Sequence, residues 1–184
     1  MNIHAKMPST SEEFLVWNEG REGRREFVRG EVLEMMVNVS KNHLRLATAL
    51  THRLVNQLGT EKYDIGSADF GVKIGRSVRF PDVLVEAFSG NGKALATESP
   101  LFVAEILSPS SMAEDFGPKA QEYLSMPSLQ HYLILSQDEP RAWLWSQENA
   151  AWKGPDIVSG HDQEIVLRNL GVSLDMASLY RNIA

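Results

Sequence analysis

The 184-residue chain contains no cysteine, which excludes disulfides, thiolate zinc sites and cysteine nucleophiles. That absence suits a reducing cytoplasm, the compartment expected for the protein. No apolar run approaches the roughly 20 residues needed to cross a bilayer, so no membrane partner is expected. The stretch "MNIHAKMPSTSEEF" has no apolar core of the kind that marks a secretory signal. Positive charge is also in deficit: 18 Lys and Arg stand against 24 Asp and Glu, a net charge of -6. A protein that coats nucleic acid by charge alone is therefore disfavoured. Gly-rich phosphate loops, Gly-x-Ser-x-Gly elbows and His-Glu-x-x-His helices are missing too. NTPases, serine hydrolases and zincins thereby lose their usual signatures.

What is present is an ordinary globular composition, 43% hydrophobic and 23% charged, in a length that fits one domain with a single core. Thr10 and Glu13 stand at capping-box spacing ahead of Phe14, Leu15 and Trp17, which predicts a short helix closed at Gly20. "REFVRGEVLEMM" alternates around Gly30 and reads as a hairpin. Asn42 to Leu58 predicts a helix, with Ala47, Leu50, Leu54 and Leu58 on one face and Gly59 as its stop. The period then changes. "DFGVKIGRSVRFPDVLVEA" predicts two strands about Gly75-Arg76-Ser77, and "LFVAEIL" a third. "PKAQEYLSM" predicts a helix with Pro118 in its first turn. "HYLILS", "RAWLWSQ" and "EIVLRNL" follow as strands, and "SLDMASLYRNI" as a terminal helix capped by Ser173.

The expected architecture is α/β (α+β): one domain over 1–184 around a central mixed β-sheet flanked by helices. Within it, 10–36 forms an N-terminal helix and hairpin, 40–146 the main core, and 147–184 the C-terminal strands and helix. Trp143, Trp145 and Trp152 alternate in a way that suits a core more than a contact surface.

Two acids fall inside strands. Asp82 shares a strand face with Leu84, and Glu105 shares one with Val103 and Leu107. A lone buried carboxylate is costly unless it is paired or binds a cation. On successive strands, about 5 Å apart, the two would raise each other's pKa, and a divalent metal would hold both ionised. The plainer alternative has Glu105 pointing outward from an edge strand and Pro81-Asp82 as a strand entry. Lys119 lies in the first turn of its helix, where a cation opposes the helix dipole. Its ammonium either reaches back to the carboxylates or faces solvent beside Glu122. Arg21, Arg24, Arg25 and Arg29, with Lys41, Arg45 and Arg53 on the next helix, form either a solvated face or a strip for phosphates.

The stretches "REFVRGEVLEM", His43 opening a helix, "FPDVLVE" and "VAEILSPSSMAEDFGPKAQEYLSMPSLQHYLIL" resemble the bacterial Uma-two group of the PD-(D/E)XK nuclease superfamily. The resemblance runs from about Glu12 to Leu179, and its most specific part is Glu105-x-Leu107-Ser108-Pro109-Ser110, followed by Asp115, Lys119 and Tyr123. It implies a restriction endonuclease-like core and an endonuclease that hydrolyses nucleic-acid phosphodiesters, DNA above all. It implies Mg²⁺ or Mn²⁺ held by Asp82, Glu105 and the backbone carbonyl of Ile106. The superfamily lysine normally lies two residues past the second acid, where this chain has Leu107, and Lys119 matches the position the group uses instead. Glu31 or Glu26 matches the acid that often precedes the sheet, with Glu31 taken as catalytic and Glu26 as accessory. His43 and Tyr123 are accessory candidates, His43 equally readable as a satisfied core histidine, and Arg24, Arg25 and Arg29 would meet backbone phosphates. A homodimer is implied. The alternative function is a catalytically inactive scaffold that binds nucleic acid or protein.

Overall fold

The structure, a computed structural model, describes residues 6–35, 39–108 and 111–183. The first helix, α1 (Ser11–Asn18), starts where Thr10 Oγ1 accepts the Glu13 N–H at 3.1 Å. Glu13 reaches back one residue further than a capping box requires, to the Ser9 N–H at 2.8 Å. Phe14 of α1 stacks on Phe27 with ring centroids 5.3 Å apart, which fastens the helix to the hairpin of β1 (Arg24–Val28) and β2 (Glu31–Met35). Arg29 and Gly30 both have positive φ, 53° and 101°, as a two-residue type I′ turn demands. The register this turn sets buries Glu26 and Phe27 together.

The long helix α2 (Lys41–Leu58) begins with Ser40 as its cap and ends at Gly59, whose φ of 77° only glycine adopts freely. His43, Leu46, Leu50 and Leu54 form its buried stripe, one turn apart. Six strands follow: β3 (Tyr63–Ser67), β4 (Gly71–Ile74), β5 (Ser77–Arg79), β6 (Val83–Ala87), β7 (Ala96–Thr97) and β8 (Pro100–Leu107). The segment expected to hold two strands therefore holds three. Pro81 has no N–H to give a ladder, and at Phe80-Pro81-Asp82 the chain leaves one sheet and enters another. Downstream lie α3 (Met112–Phe116), α4 (Pro118–Leu124), β9 (His131–Ser136), β10 (Arg141–Glu148) and β11 (Ala151–Ser159).

A five-stranded sheet runs in the order β2-β1-β5-β4-β7, and a six-stranded sheet in the order β11-β10-β9-β8-β6-β3. In the larger sheet β8 and β9 are parallel, joined by a crossover through α3 and α4, and the other pairs are antiparallel. The mixed α+β arrangement expected from the sequence is thus present, with two principal sheets rather than one. One face of the larger sheet packs on Leu46, Leu50 and Leu54 of α2. The other packs on Ala120 and Tyr123 of α4.

At the C-terminus β12 (Glu164–Leu167) pairs with β13 (Val172–Asp175), ahead of the short helix α5 (Met176–Leu179). The terminal helix therefore begins at Met176. Its cap is Asp175, which accepts the N–H groups of Ala177 and Ser178, and Ser173 lies in the strand. Alternation of buried Val172 and Leu174 outweighs the weaker cap signal at Ser173. Among the described residues no helix is long and apolar enough to cross a membrane.

Candidate active site

Strand β6 runs antiparallel to β8 with Leu84 opposite Val103 and Val83 opposite Ala104. One step along the same register brings Asp82 opposite Glu105, on the face shared with Leu84 and Val103. Asp82 is 8% and Glu105 4% exposed, and both line a cavity of about 900 Å³. Asp82 Oδ2 accepts the Ile106 N–H at 2.8 Å and lies 3.0 Å from His43 Nε2. Glu105 Oε1 accepts from Lys119 Nζ at 3.2 Å and from the Tyr123 hydroxyl at 3.1 Å. Each carboxylate is thus oriented through one oxygen. Asp82 Oδ1 and Glu105 Oε2 take no hydrogen bond from the described residues.

Lys119, 4% exposed, extends from the first turn of α4 into a nest of acids. Its ammonium also lies 3.3 Å from Glu26 Oε1 and 3.5 Å from Asp115 Oδ1. Burial alone would lower its pKa, but Glu105, Glu26 and Asp115 outweigh it and hold the group above the ordinary lysine range. Lys119 is a fixed positive charge, unsuited to acting as a base. Glu105 moves the other way: burial pushes its carboxyl well above the usual range, Lys119 draws it down, and Asp115, Asp82 and Glu26 push it up again. Asp115 is raised as well, mainly by burial. The pocket is short of positive charge.

That shortage bears on metal binding. Among the described residues no three His, Asp or Glu side chains converge into a ready-made metal cage. Magnesium does not need one, because it commonly binds through one or two carboxylates and keeps several waters. Two carboxylates, each with an oxygen to spare, in a pocket where acids outnumber cations are a donor set that fits such an ion.

The sequence candidates separate clearly. Asp82, Glu105, Lys119, Glu26, His43, Tyr123 and the Ile106 amide come together through the contacts above. Glu31 stays apart: it sits beside the hairpin turn opposite Val28 and is exposed. Of the two hairpin acids, Glu26 is the one the pleat carries inward. Arg24 and Arg25 line the cavity. Arg25 is 3.7 Å from Glu34 and donates to the Glu22 carbonyl at 2.7 Å. Arg29 lies at the exposed turn, 3.8 Å from Glu122.

Two members were not singled out as site residues. Arg79 is 1% exposed and meets Glu26 at 2.7 Å, Glu122 at 2.6 Å and Glu114 at 2.9 Å, tying the smaller sheet to α3 and α4. Its signal was the same as that of Glu105, a charge inside a strand next to Pro81-Asp82. Asp115 stands four residues before Lys119, near the end of α3, and meets it across the Gly117 break that separates α3 from α4.

The sheet arrangement and the acid-lined cavity define a mixed α+β domain with a buried cluster of acids. A crystal structure of "a putative nuclease belonging to DUF820" from Anabaena variabilis superposes with a TM-score of 0.76 at 16% identity, over 96% of this chain and all of that one. The family model Uma2, described as "Putative restriction endonuclease", matches residues 11–177. The uncharacterized Synechocystis sp. protein slr1290 is 28% identical over 98% of this chain and 96% of its own length. A second Synechocystis protein, sll1609, is 33% identical over 70% of this chain and 75% of its own length. The chain belongs to the Uma2 family.

Proposed function

We propose that the protein is a metal-dependent endonuclease hydrolysing phosphodiester bonds of nucleic acid, DNA first among them. The observation that carries this reading is the convergence of Asp82, at the entry to β6, and Glu105, on the neighbouring β8, on one cavity with the Lys119 ammonium on Glu105. Asp82 and Glu105 would hold Mg²⁺ or Mn²⁺. The Ile106 carbonyl would assist, since N–H and C=O of a strand residue face the same flank and its N–H meets Asp82. When bound, such an ion polarises a phosphate oxygen and lowers the pKa of a bound water.

The chain's own groups do the rest. His43 and the Ile106 amide hold one oxygen of Asp82 and leave the other for a ligand. Tyr123 does the same for Glu105. Lys119, permanently charged, offsets negative charge that builds on the phosphate during attack. Glu26 keeps that ammonium from swinging wholly onto Glu105, because it shares it at a similar distance. Arg24 and Arg25, at the cavity wall, would receive the phosphates flanking the scissile one.

A non-catalytic scaffold is the second reading, favoured by one feature: Lys119 already sits against three carboxylates, so the buried charges are partly balanced without an ion. The two readings part on a single experiment. The protein is incubated with plasmid, single-stranded DNA and RNA under Mg²⁺ or Mn²⁺, beside Asp82→Ala and Glu105→Ala, and its melting temperature is followed with and without the ions. Cleavage and ion-dependent stabilisation are expected in the parent and absent in both variants. Cleavage that survives both substitutions would be contamination, and no ion effect at all would leave the scaffold.

A further inference from the structure

Helix α2 connects the cavity to a surface that the catalytic reading does not use. At its N-terminal end Ser40 and His43 line the cavity, and His43 contacts Asp82. Its opposite face is open to solvent. Lys41, Arg45, Thr48, His52 and Asn56 are exposed and follow one another at helical spacing, over about 22 Å at 1.5 Å per residue. No Asp or Glu occurs between Glu34 and Glu61, in a chain with 24 of them. The helix carries Lys41, Arg45 and Arg53 uncompensated, while the whole chain is at -6. Among the described residues no carboxylate pairs with any of the three. Arg45 instead donates to the Asn182 carbonyl at 2.8 Å.

Their placement does not serve the helix. Lys41 is its first residue and Arg45 lies one turn on, whereas the last turn holds no cation and the first no acid. This is the reverse of what the macrodipole favours. Cations at a helix start are stabilised when an external anion sits there, since the anion satisfies both the ammonium and the positive end of the dipole. The requirement is for a repeating anion that begins at the cavity mouth and continues along the helix.

We infer that the solvent face of α2 is a backbone track for nucleic acid, with Lys41 and Arg45 contacting successive phosphates of a strand that leaves the catalytic cavity. The inference rests on the proposed nucleic-acid substrate but concerns binding rather than cleavage. The contacts go to phosphates and carry no sequence preference. They place the strand's exit on the α2 side, with Arg24 and Arg25 on the hairpin side.

The test uses the full-length Asp82→Asn protein, in which cleavage is silenced, and a fluorescein-labelled oligonucleotide, single-stranded or duplex. Binding is followed by anisotropy across a salt series. With Lys41→Gln and Arg45→Gln added, affinity at low salt should fall and the log K against log salt slope should flatten by about 2, about one per cation removed. Lys153→Gln, which removes an exposed lysine of β11 paired with Glu148 of β10, should leave the slope unchanged. Equal losses from Lys153→Gln would reduce the effect to net charge and overturn the track. So would an unchanged slope in the α2 variant, or no binding by the Asp82→Asn parent. Binding that behaves as expected in a protein that never cleaves would remove the nuclease reading and leave the track standing.

Discussion

The two faces of strand β8 solve opposite problems with alternate residues. Phe102, Ala104 and Ile106 point into an apolar layer with Leu46, Leu50 and Leu54 of α2 and Leu133 and Leu135 of β9. Val103 and Leu107 point the other way, toward α4, and between them Glu105 carries a buried carboxyl. On the first face stability comes from packing and from water excluded. On the second, a ring of acids is held by Lys119 and Arg79, each almost fully buried. Such a cluster contributes little net stability, because desolvation offsets most of the Coulomb gain. Its value lies in fixed positions and stored charge, which a binding site needs and a core does not.

Three changes break or sharpen that contrast. The largest effect belongs to Lys119→Met, which leaves Glu26, Glu105 and Asp115 facing one another without a counter-charge. Urea unfolding at neutral pH should show a loss of about 3–5 kcal/mol, and divalent ions should restore part of it. A loss no greater than that of an exposed lysine would show that the cluster is not buried as described. Next is Leu133→Ala on the apolar face, fully buried in the parent, with a cost of about 2–5 kcal/mol. That cost should be the same with and without Mg²⁺; an ion-dependent cost would couple the two faces and erase the distinction.

The smallest effect at neutral pH concerns His131, at the start of β9 and 1% exposed. Its Nε2 accepts the Asn169 N–H at 3.4 Å, which leaves Nδ1–H to donate to Ser146 Oγ at 2.9 Å. Burial lowers its pKa from 6.5 to about 4. The unfolded chain therefore takes up the proton first, and stability that is complete above pH 6.5 declines as the pH falls toward 4. His131→Gln should flatten that part of the stability–pH curve while leaving any metal response intact. An unchanged curve would place the acid sensitivity at groups other than His131, and not at Glu105 or Asp115, whose raised pKa favours the folded state as the pH falls.

Periodicity and end signals made the helices legible. Leu50 and Leu54 with Gly59 gave α2 to within a residue, and Pro118 gave the start of α4. Strand β11 escaped because it is an exposed edge containing Lys153, Pro155 and Asp156, which carry no apolar alternation. Helix α3 is a single short segment with too few turns to show a stripe. In the site, Asp82 and Glu105 stood out because a charge inside a strand is a local anomaly. Glu26 and Glu31 sit in the same hairpin, and the expectation put Glu31 in the catalytic set with Glu26 as an accessory. Only the pleat and the docking of that hairpin under Arg79 separated them.

The chain by itself marked α1, α2 and α4 as helices, singled out Asp82 and Glu105 as acids among apolar neighbours, and excluded thiol chemistry. These follow from local geometry: backbone angles, caps and the 2.0 and 3.6 residue periods act over a few positions. Which acids meet was decided elsewhere. Asp82 faces Glu105 through the pairing of β6 with β8, Glu26 arrives from the second sheet, and Lys119 from the crossover helix. Strand register and sheet packing are set by the whole core at once, so contacts between charges this far apart in sequence appear only when the chain has folded.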